Sequence, residues 1–310
     1  METVLKIQNL SKSFGTRKVI DNISFDVYAG EVFGFLGPNG AGKTTTIKMI
    51  LGFLKTDAGD ITVDGLDLKK HYEEAMSHLG GIVENPEMYK DLSGLTNLKM
   101  YARLHDGVTR ARIDEVVEMV GMQNRIGEKV KKYSLGMKQR LGLAQAILHK
   151  PKILILDEPT NGLDPAGIKE LRDILKTLAH EENVAVFISS HQLAEMELMC
   201  DRVAIIDKGV LIGVKPIREL LDSVSGAPRY RFATKQTDKA AAILAQSPEY
   251  KDLVRERTGE YIELEIPEEL VAKVNLLLAT NEVGIFGVSR VESSLEDAFL
   301  NLTGGGNSIA

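Results

Sequence analysis

Cysteine is almost absent. Cys200 stands alone in 310 residues, so no intramolecular disulfide can form, and a reducing compartment fits the chain. A lone thiol in an apolar setting is expected to serve as a small hydrophobe in a packed helix. Long apolar runs are missing too: no segment approaches the ~20 apolar residues that a membrane-spanning helix needs. The opening METVLKIQNLSKSF has no basic stretch followed by an apolar core, so it does not read as a secretory leader. Positive charge is not in excess. Lysine and arginine number 38 against 44 aspartates and glutamates, and a formal net charge of -6 argues against nucleic acid as a partner. What remains is an ordinary globular balance, 44% hydrophobic and 26% charged, over a length sufficient for two domains.

Residues 31–36, EVFGFL, make an apolar run of strand length, and TIKMILGFL further on has helical periodicity. Between them GPNGAGKTT fits G-x-x-x-x-G-K-[ST], in the strand-to-helix setting that a phosphate-binding loop requires. The chemistry lies mainly in the backbone. The glycines of the loop Gly37, Pro38, Asn39, Gly40, Ala41, Gly42 let the chain curl so that N–H groups point inward. A helix starting near Gly42 adds its positive dipole end. Lys43 supplies a point charge to β- and γ-phosphates, the Thr44 hydroxyl can ligate Mg²⁺, and Thr45 assists at the α-phosphate.

A second apolar strand, KILILDEPT, carries four aliphatic residues from Ile153 to Leu156, the pattern of a strand buried on both faces of a parallel sheet. Asp157 and Glu158 stand at its C-terminal end, where open α/β sheets place their ligands. One carboxylate can hold Mg²⁺ and its neighbour can polarise water for attack on a γ-phosphate. A third strand, Val184–Ile188, ends in Ser189, Ser190 and His191, and the histidine is placed to contact that phosphate. A short strand in GGIVENP delivers a further acid, Glu84. Between these elements lies KKYSLGMKQRLGLAQAILHKP, where Ser134 and Gly136 precede a helix expected to be amphipathic and to start near Lys138. That helix N-terminus is a second anion site. One nucleotide does not need two γ-phosphate sites, so the second is expected to serve ATP held by another copy.

These motifs in this order, across roughly residues 3–220, resemble the nucleotide-binding subunits of ATP-binding cassette (ABC) transporters. GPNGAGKTT resembles the Walker A segment, ILILDE the Walker B, and YSLGM lies where the family typically has LSGGQ. NGLDP is similar to the D-loop, which contains Asp164, and His191 matches the switch histidine. The resemblance implies that Phe14 stacks on adenine, that Glu158 is the catalytic base, and that Glu84 stands where the family usually has a glutamine sensing Mg²⁺ and the lytic water. A carboxylate there can ligate Mg²⁺ as a hard anion, and its repulsion with Asp157 and Glu158 is expected to make the site favour metal. The signature departs from the family by Leu135 and Met137 but keeps Ser134 and Gly136. The cofactors implied are ATP and Mg²⁺. The partners implied are a second copy packed head to tail and a separate multi-spanning membrane permease, which places the chain in the cytoplasm on the inner face of the cell membrane.

The expected fold is an α/β P-loop NTPase domain over 1–222, with an antiparallel β subdomain over the adenine and a helical insert at about 86–145. The parallel core is expected from 29–83 and 150–215. Met88, Tyr89 and Leu92 are candidate contacts for the permease. SVSGAP, 223–228, reads as a linker, and 229–303 as a small α+β domain of β-α-β-β-α-β, ferredoxin-like order, for regulation or dimer support. GGGNSIA, 304–310, reads as a tail. Glu84 in IVENP, the YSLGMKQR signature and the ending SLEDAFLNLTGG resemble the subgroup that exports bacitracin and lantibiotic-type peptides, implying a resistance or immunity role. Two other readings stay open: an exporter of an ion, lipid or unrelated drug, and a soluble ABC ATPase of DNA repair or translation. A single Walker A and an insert too short for a long coiled coil argue against the latter.

Overall fold

The structure is a computed structural model that describes residues 2–84, 86–223, 228–291, 294–296 and 299. The chain divides into two compact units between Ile217 and Arg218.

The first unit opens with a long hairpin, β1 (Thr3–Phe14) and β2 (Arg17–Tyr28), followed by β3 (Val32–Leu36) and α1 (Lys43–Ile50). Then come β4 (Ala58–Val63), β5 (Leu66–Asp67), α2 (Tyr72–Ser77) and β6 (Leu79–Ile82). Three helices form the insert: α3 (Gly94–Ala102), α4 (Arg110–Met119) and α5 (Leu135–Ala146). The remainder is β7 (Ile153–Asp157), α6 (Pro165–His180), β8 (Ala185–Ser190), α7 (Leu193–Met199), β9 (Arg202–Asp207) and β10 (Val210–Pro216).

Two sheets result. One is antiparallel, in the order β2-β1-β4-β5. The other runs β10-β9-β3-β8-β7-β6, parallel except for the edge strand β10. Residues 58–67 therefore leave the expected parallel core and join the first sheet. The half-exposed alternation of β4 suits a one-sided antiparallel strand, and it pairs with β1 from Leu5–Val63 to Ser11–Ala58. By contrast β3, β7 and β8 are buried at every residue, as strands covered on both faces must be. Phe25 of the first sheet packs against Phe33, Phe35 and Phe187 of the second, with ring centroids 5.4–6.1 Å apart. Ile47, Met49 and Ile50 of α1 belong to the same core. Burying each such side chain contributes roughly 1.5–3 kcal/mol. On the opposite face Gly34 lets Met196, Cys200 and Val203 close on β3, since a Cβ there would lie 2.8–2.9 Å from each. Cys200 sits just past α7 and not within it, buried, and its thiol pKa is pushed far up by that burial.

The helices α3 to α6 begin where the sequence supplies an oxygen cap. Ser93, Thr109, Ser134 and Asp164 accept from the backbone N–H groups of Thr96, Arg112, Met137 and Gly167. The cap at Ser134 starts α5 at Leu135, three residues earlier than expected. Its burial runs nearly all round, including Met137, Gln139, Leu141, Gly142 and Leu143, so it is a buried helix and not an amphipathic one.

After α8 (Ile217–Ser223), the second unit runs β11 (Arg229–Ala233), α9 (Thr237–Gln246), β12 (Val254–Arg257), β13 (Tyr261–Glu265), α10 (Glu268–Thr280) and β14 (Gly287–Val291). The sheet order β12-β13-β11-β14, antiparallel throughout, is that of a ferredoxin-like α+β fold. Its own core joins Tyr230, Phe232, Ile262 and Leu264 of the sheet to Leu244, Val274 and Leu278 of the helices. Most of the linker, the tail and most of the helix expected at SLEDAFLNL lie outside the described residues.

Candidate functional site

Parallel strands β3, β7 and β8 lie side by side, so their C-terminal ends deliver three segments to one place. β3 feeds the loop 37–42, β7 ends in Asp157 followed by Glu158, and β8 leads to His191. The result is a cleft of about 460 Å³. Phe14, Arg17 and Val19 of the hairpin line one side; Asn39, Gly40, Gly42, Lys43, Thr44 and Thr45 form the loop and helix wall; Glu158, Asn161 and His191 complete it.

The loop conformation depends on glycine at two points. Gly42 caps α1 with φ of 111°, and a Cβ there would lie 2.3 Å from Ile20 Cδ1. Gly37 packs so closely that a Cβ would meet the Ile206 carbonyl at 2.3 Å. A side chain at either point would displace the loop from the sheet.

Lys43 is only 6% exposed, unusual for an ammonium. Its charge is met by the Gly37 carbonyl at 2.7 Å, the Pro38 carbonyl at 3.4 Å and Glu158 Oε1 at 3.2 Å. The other carboxylate oxygen of Glu158 is 2.9 Å from His191 Nδ1. One carboxylate thus bridges two groups, both suited to binding an anion. Glu158 holds a left-handed backbone, φ 50°. Behind it Asp157 is 3% exposed and accepts a hydrogen bond from the Ser189 hydroxyl at 2.6 Å.

Nine of the residues expected at a nucleotide therefore line one cleft: Phe14, Asn39, Gly40, Gly42, Lys43, Thr44, Thr45, Glu158 and His191. Gly37, Pro38, Ala41 and Asp157 support it from within the loop and strand end. The structure places four others elsewhere. Glu84 follows β6 with φ of 61° and is well exposed, and its carboxylate pairs with Lys48 of α1 at 3.2 Å. Ser134 and Gly136 open α5 beside the D-loop of their own chain: a Cβ on Gly162 would lie 2.9 Å from Leu135 Cδ2, and one on Gly136 3.8 Å from Leu163 Cδ2. Asp164 is spent on the cap of α6. Arg17, Val19 and Ser189 were not singled out from the sequence. Arg17 carries a readable signal, a cation three positions after an exposed aromatic; Val19 and Ser189 carry none without the fold.

A phosphate loop between a buried strand and helix, at the carboxyl ends of a parallel sheet, defines the class as a P-loop nucleotide-binding ATPase. Residues 20–161 match the family described as ABC transporter. The uncharacterized ABC transporter ATP-binding protein YhcH of Bacillus subtilis (strain 168) is 51% identical, the match covering 98% of this chain and 97% of that one. The bacitracin transport ATP-binding protein BcrA of Bacillus licheniformis is 40% identical over 99% of both chains. A solved structure described as an ATP-binding subunit of an ABC transporter is 28% identical, with a TM-score of 0.64 over 71% of this chain and 92% of its own. The chain belongs to the ABC transporter ATP-binding proteins and is the ATP-hydrolysing subunit of such a transporter.

Proposed function

We propose that this chain powers export of a peptide antibiotic of the bacitracin or lantibiotic type, by hydrolysing ATP·Mg²⁺ between two head-to-tail copies. The observation that carries the catalytic part is the convergence of Lys43 and His191 on a single carboxylate oxygen pair, that of Glu158. Two groups that can bind a phosphate, about 3 Å from one anionic group at the mouth of a phosphate loop, outline a γ-phosphate position. ATP entering the cleft stacks its adenine on Phe14, flanked by Arg17 and Val19, and lays its phosphates along residues 37–45. Lys43 and His191 then exchange Glu158 for the γ-phosphate, and Glu158 becomes free to take a proton from the attacking water.

Among the described residues no group of three His, Cys, Asp or Glu side chains is arranged to hold a metal ion by itself. The Thr44 hydroxyl and the Asp157 carboxylate would hold a cation here, and such hard oxygen donors suit Mg²⁺. When bound, Mg²⁺ neutralises charge developing on the phosphate oxygens. Glu84 joins that set only after its ion pair with Lys48 opens. Ser134 and Gly136, in the first turn of α5, present backbone N–H groups suited to the γ-phosphate of the other copy's ATP, with Asp164 of the D-loop alongside.

Among the described residues no helix is long and apolar enough to cross a membrane. A separate permease fits that observation, and it would dock from the inner face of the cell membrane on the insert side, where Tyr89 and Leu92 are exposed and Met88 partly so. The 40% identity with BcrA across the whole chain, including its second unit, supports a bacitracin-like substrate. The test is capture by the Glu158→Gln variant, loaded with ATP, in detergent-solubilised membranes of the native host, with mass spectrometry of what is retained. Recovery of a multi-spanning permease encoded beside a peptide-resistance determinant is the expected result. Recovery of ribosomal or DNA-bound proteins instead would overturn the export reading.

A further inference from the structure

We propose that Ser189 is a positioning residue for hydrolysis, a single hydroxyl that aligns both acids at the end of β7. The inference rests on the roles given above to Asp157 and Glu158.

Ser189 is fully buried at the end of β8, after the buried run Ala185–Ile188. Packing alone would favour another apolar residue there, because a buried hydroxyl needs partners. The parallel register puts Ser189 directly beside Asp157. Its Oγ lies 2.6 Å from Asp157 Oδ1 and 3.0 Å from the Glu158 backbone nitrogen. The proton assignments follow from chemistry. The Glu158 N–H can only donate, so the hydroxyl oxygen accepts there; its own proton points to the Asp157 carboxylate. The short distance to Asp157 is that of a charge-assisted hydrogen bond.

The two bonds do different things. The first fixes which way the Asp157 carboxylate faces, and so where its free oxygen can meet a cation. The second acts on backbone. Glu158 is left-handed, which a non-glycine residue adopts only when its surroundings hold it. Its N–H is shared between the Ser189 hydroxyl and the Ser189 carbonyl, the latter at 3.2 Å, and its carbonyl accepts from Asn161 N–H at 3.2 Å. Removing the hydroxyl leaves that N–H with one acceptor and the Asp157 carboxylate without the only hydrogen-bond donor it has among the described residues. Ser189 does not line the cleft. Its effect therefore reaches ATP only through the two acids.

The experiment compares the full-length wild-type chain with Ser189→Ala, Ser189→Thr and Ser189→Cys. Two quantities are measured. One is kcat and KM for ATP. The other is the gain in affinity for a non-hydrolysable ATP analogue on adding Mg²⁺, by titration calorimetry. The expected result for Ser189→Ala is a kcat lowered at least about tenfold with KM within about twofold, and a Mg²⁺ gain reduced several-fold. Ser189→Thr keeps the hydroxyl and restores both. Ser189→Cys keeps the size but offers only a weak S–H donor, and is impaired in the same direction, which serves if the alanine variant does not fold. Wild-type kcat and wild-type Mg²⁺ gain in a folded Ala or Cys variant would overturn the proposal. So would a folded Ser189→Thr chain as impaired as Ser189→Ala. Asp157→Asn and Glu158→Gln run beside them as controls. If those two leave hydrolysis intact, the site reading itself fails and takes this inference with it. If they abolish hydrolysis while the Ser189 variants are silent, this inference alone fails.

Discussion

His149 shows how much one side chain can depend on what it lacks. It follows α5, stacks on His105 with centroids 4.3 Å apart, and donates from Nε2 to the Leu79 carbonyl at 3.0 Å. Its Nδ1 is buried with no hydrogen-bond partner among the described residues. Protonation would place an N–H there with no acceptor, so burial first, and the neighbouring His105 second, hold its pKa below the ordinary histidine value. The unfolded chain then binds the proton more readily than the folded one. Stability is therefore full above about pH 6.5 and falls as the pH is lowered from there toward the depressed folded value. Urea unfolding midpoints measured between pH 7.5 and 5.5 are expected to drop with acid, and the drop is expected to be smaller in His149→Gln. A parallel drop in both proteins would assign the acid sensitivity elsewhere.

At the scale of the element, α5 is set by one serine. Ser134 bonds Met137 N–H at 3.2 Å, and replacing it with alanine is expected to cost about 1 kcal/mol of unfolding free energy. The same substitution is expected to weaken ATP-dependent dimerisation of Glu158→Gln by more than that loss explains, as light scattering would show. A loss of stability with dimerisation unchanged would reduce Ser134 to a cap. The elements most legible in the sequence were the doubly buried strands β3, β7 and β8, because nothing but a parallel core tolerates runs such as Ile153–Leu156. The phosphate loop was legible for a related reason: its glycines and lysine have few other uses at that spacing. Less legible was anything fixed by pairing between distant segments. The half-exposed pattern of β4 is compatible with either sheet, and only its match to β1 decides. Ser189 reads as an ordinary strand end until β8 is laid beside β7. Glu84 groups with the catalytic acids in the sequence because it stands, just after a strand, where the family usually has a glutamine. β6 stops at Ile82, however, and the left-handed turn at Glu84 hands its carboxylate to Lys48.

At the scale of the molecule, each unit owns a hydrophobic core, and the second holds no residue of the cleft. Calorimetry is expected to resolve two unfolding transitions. A non-hydrolysable ATP analogue at about a hundred times its dissociation constant is expected to add about 2.7 kcal/mol to the transition of the first unit. Both transitions rising together would show the units unfolding as one. The contact between Lys43 and Glu158 has a meaning for the machine as a whole. The acid proposed to draw a proton from water, Glu158, is tied to the lysine proposed to hold a phosphate, Lys43. On that proposal, arrival of fuel and arming of the base would be a single event, an interlock. A transporter built as proposed would have no idle state in which its base stands ready with nothing to cut, and the order of its cycle would follow which anion the lysine holds.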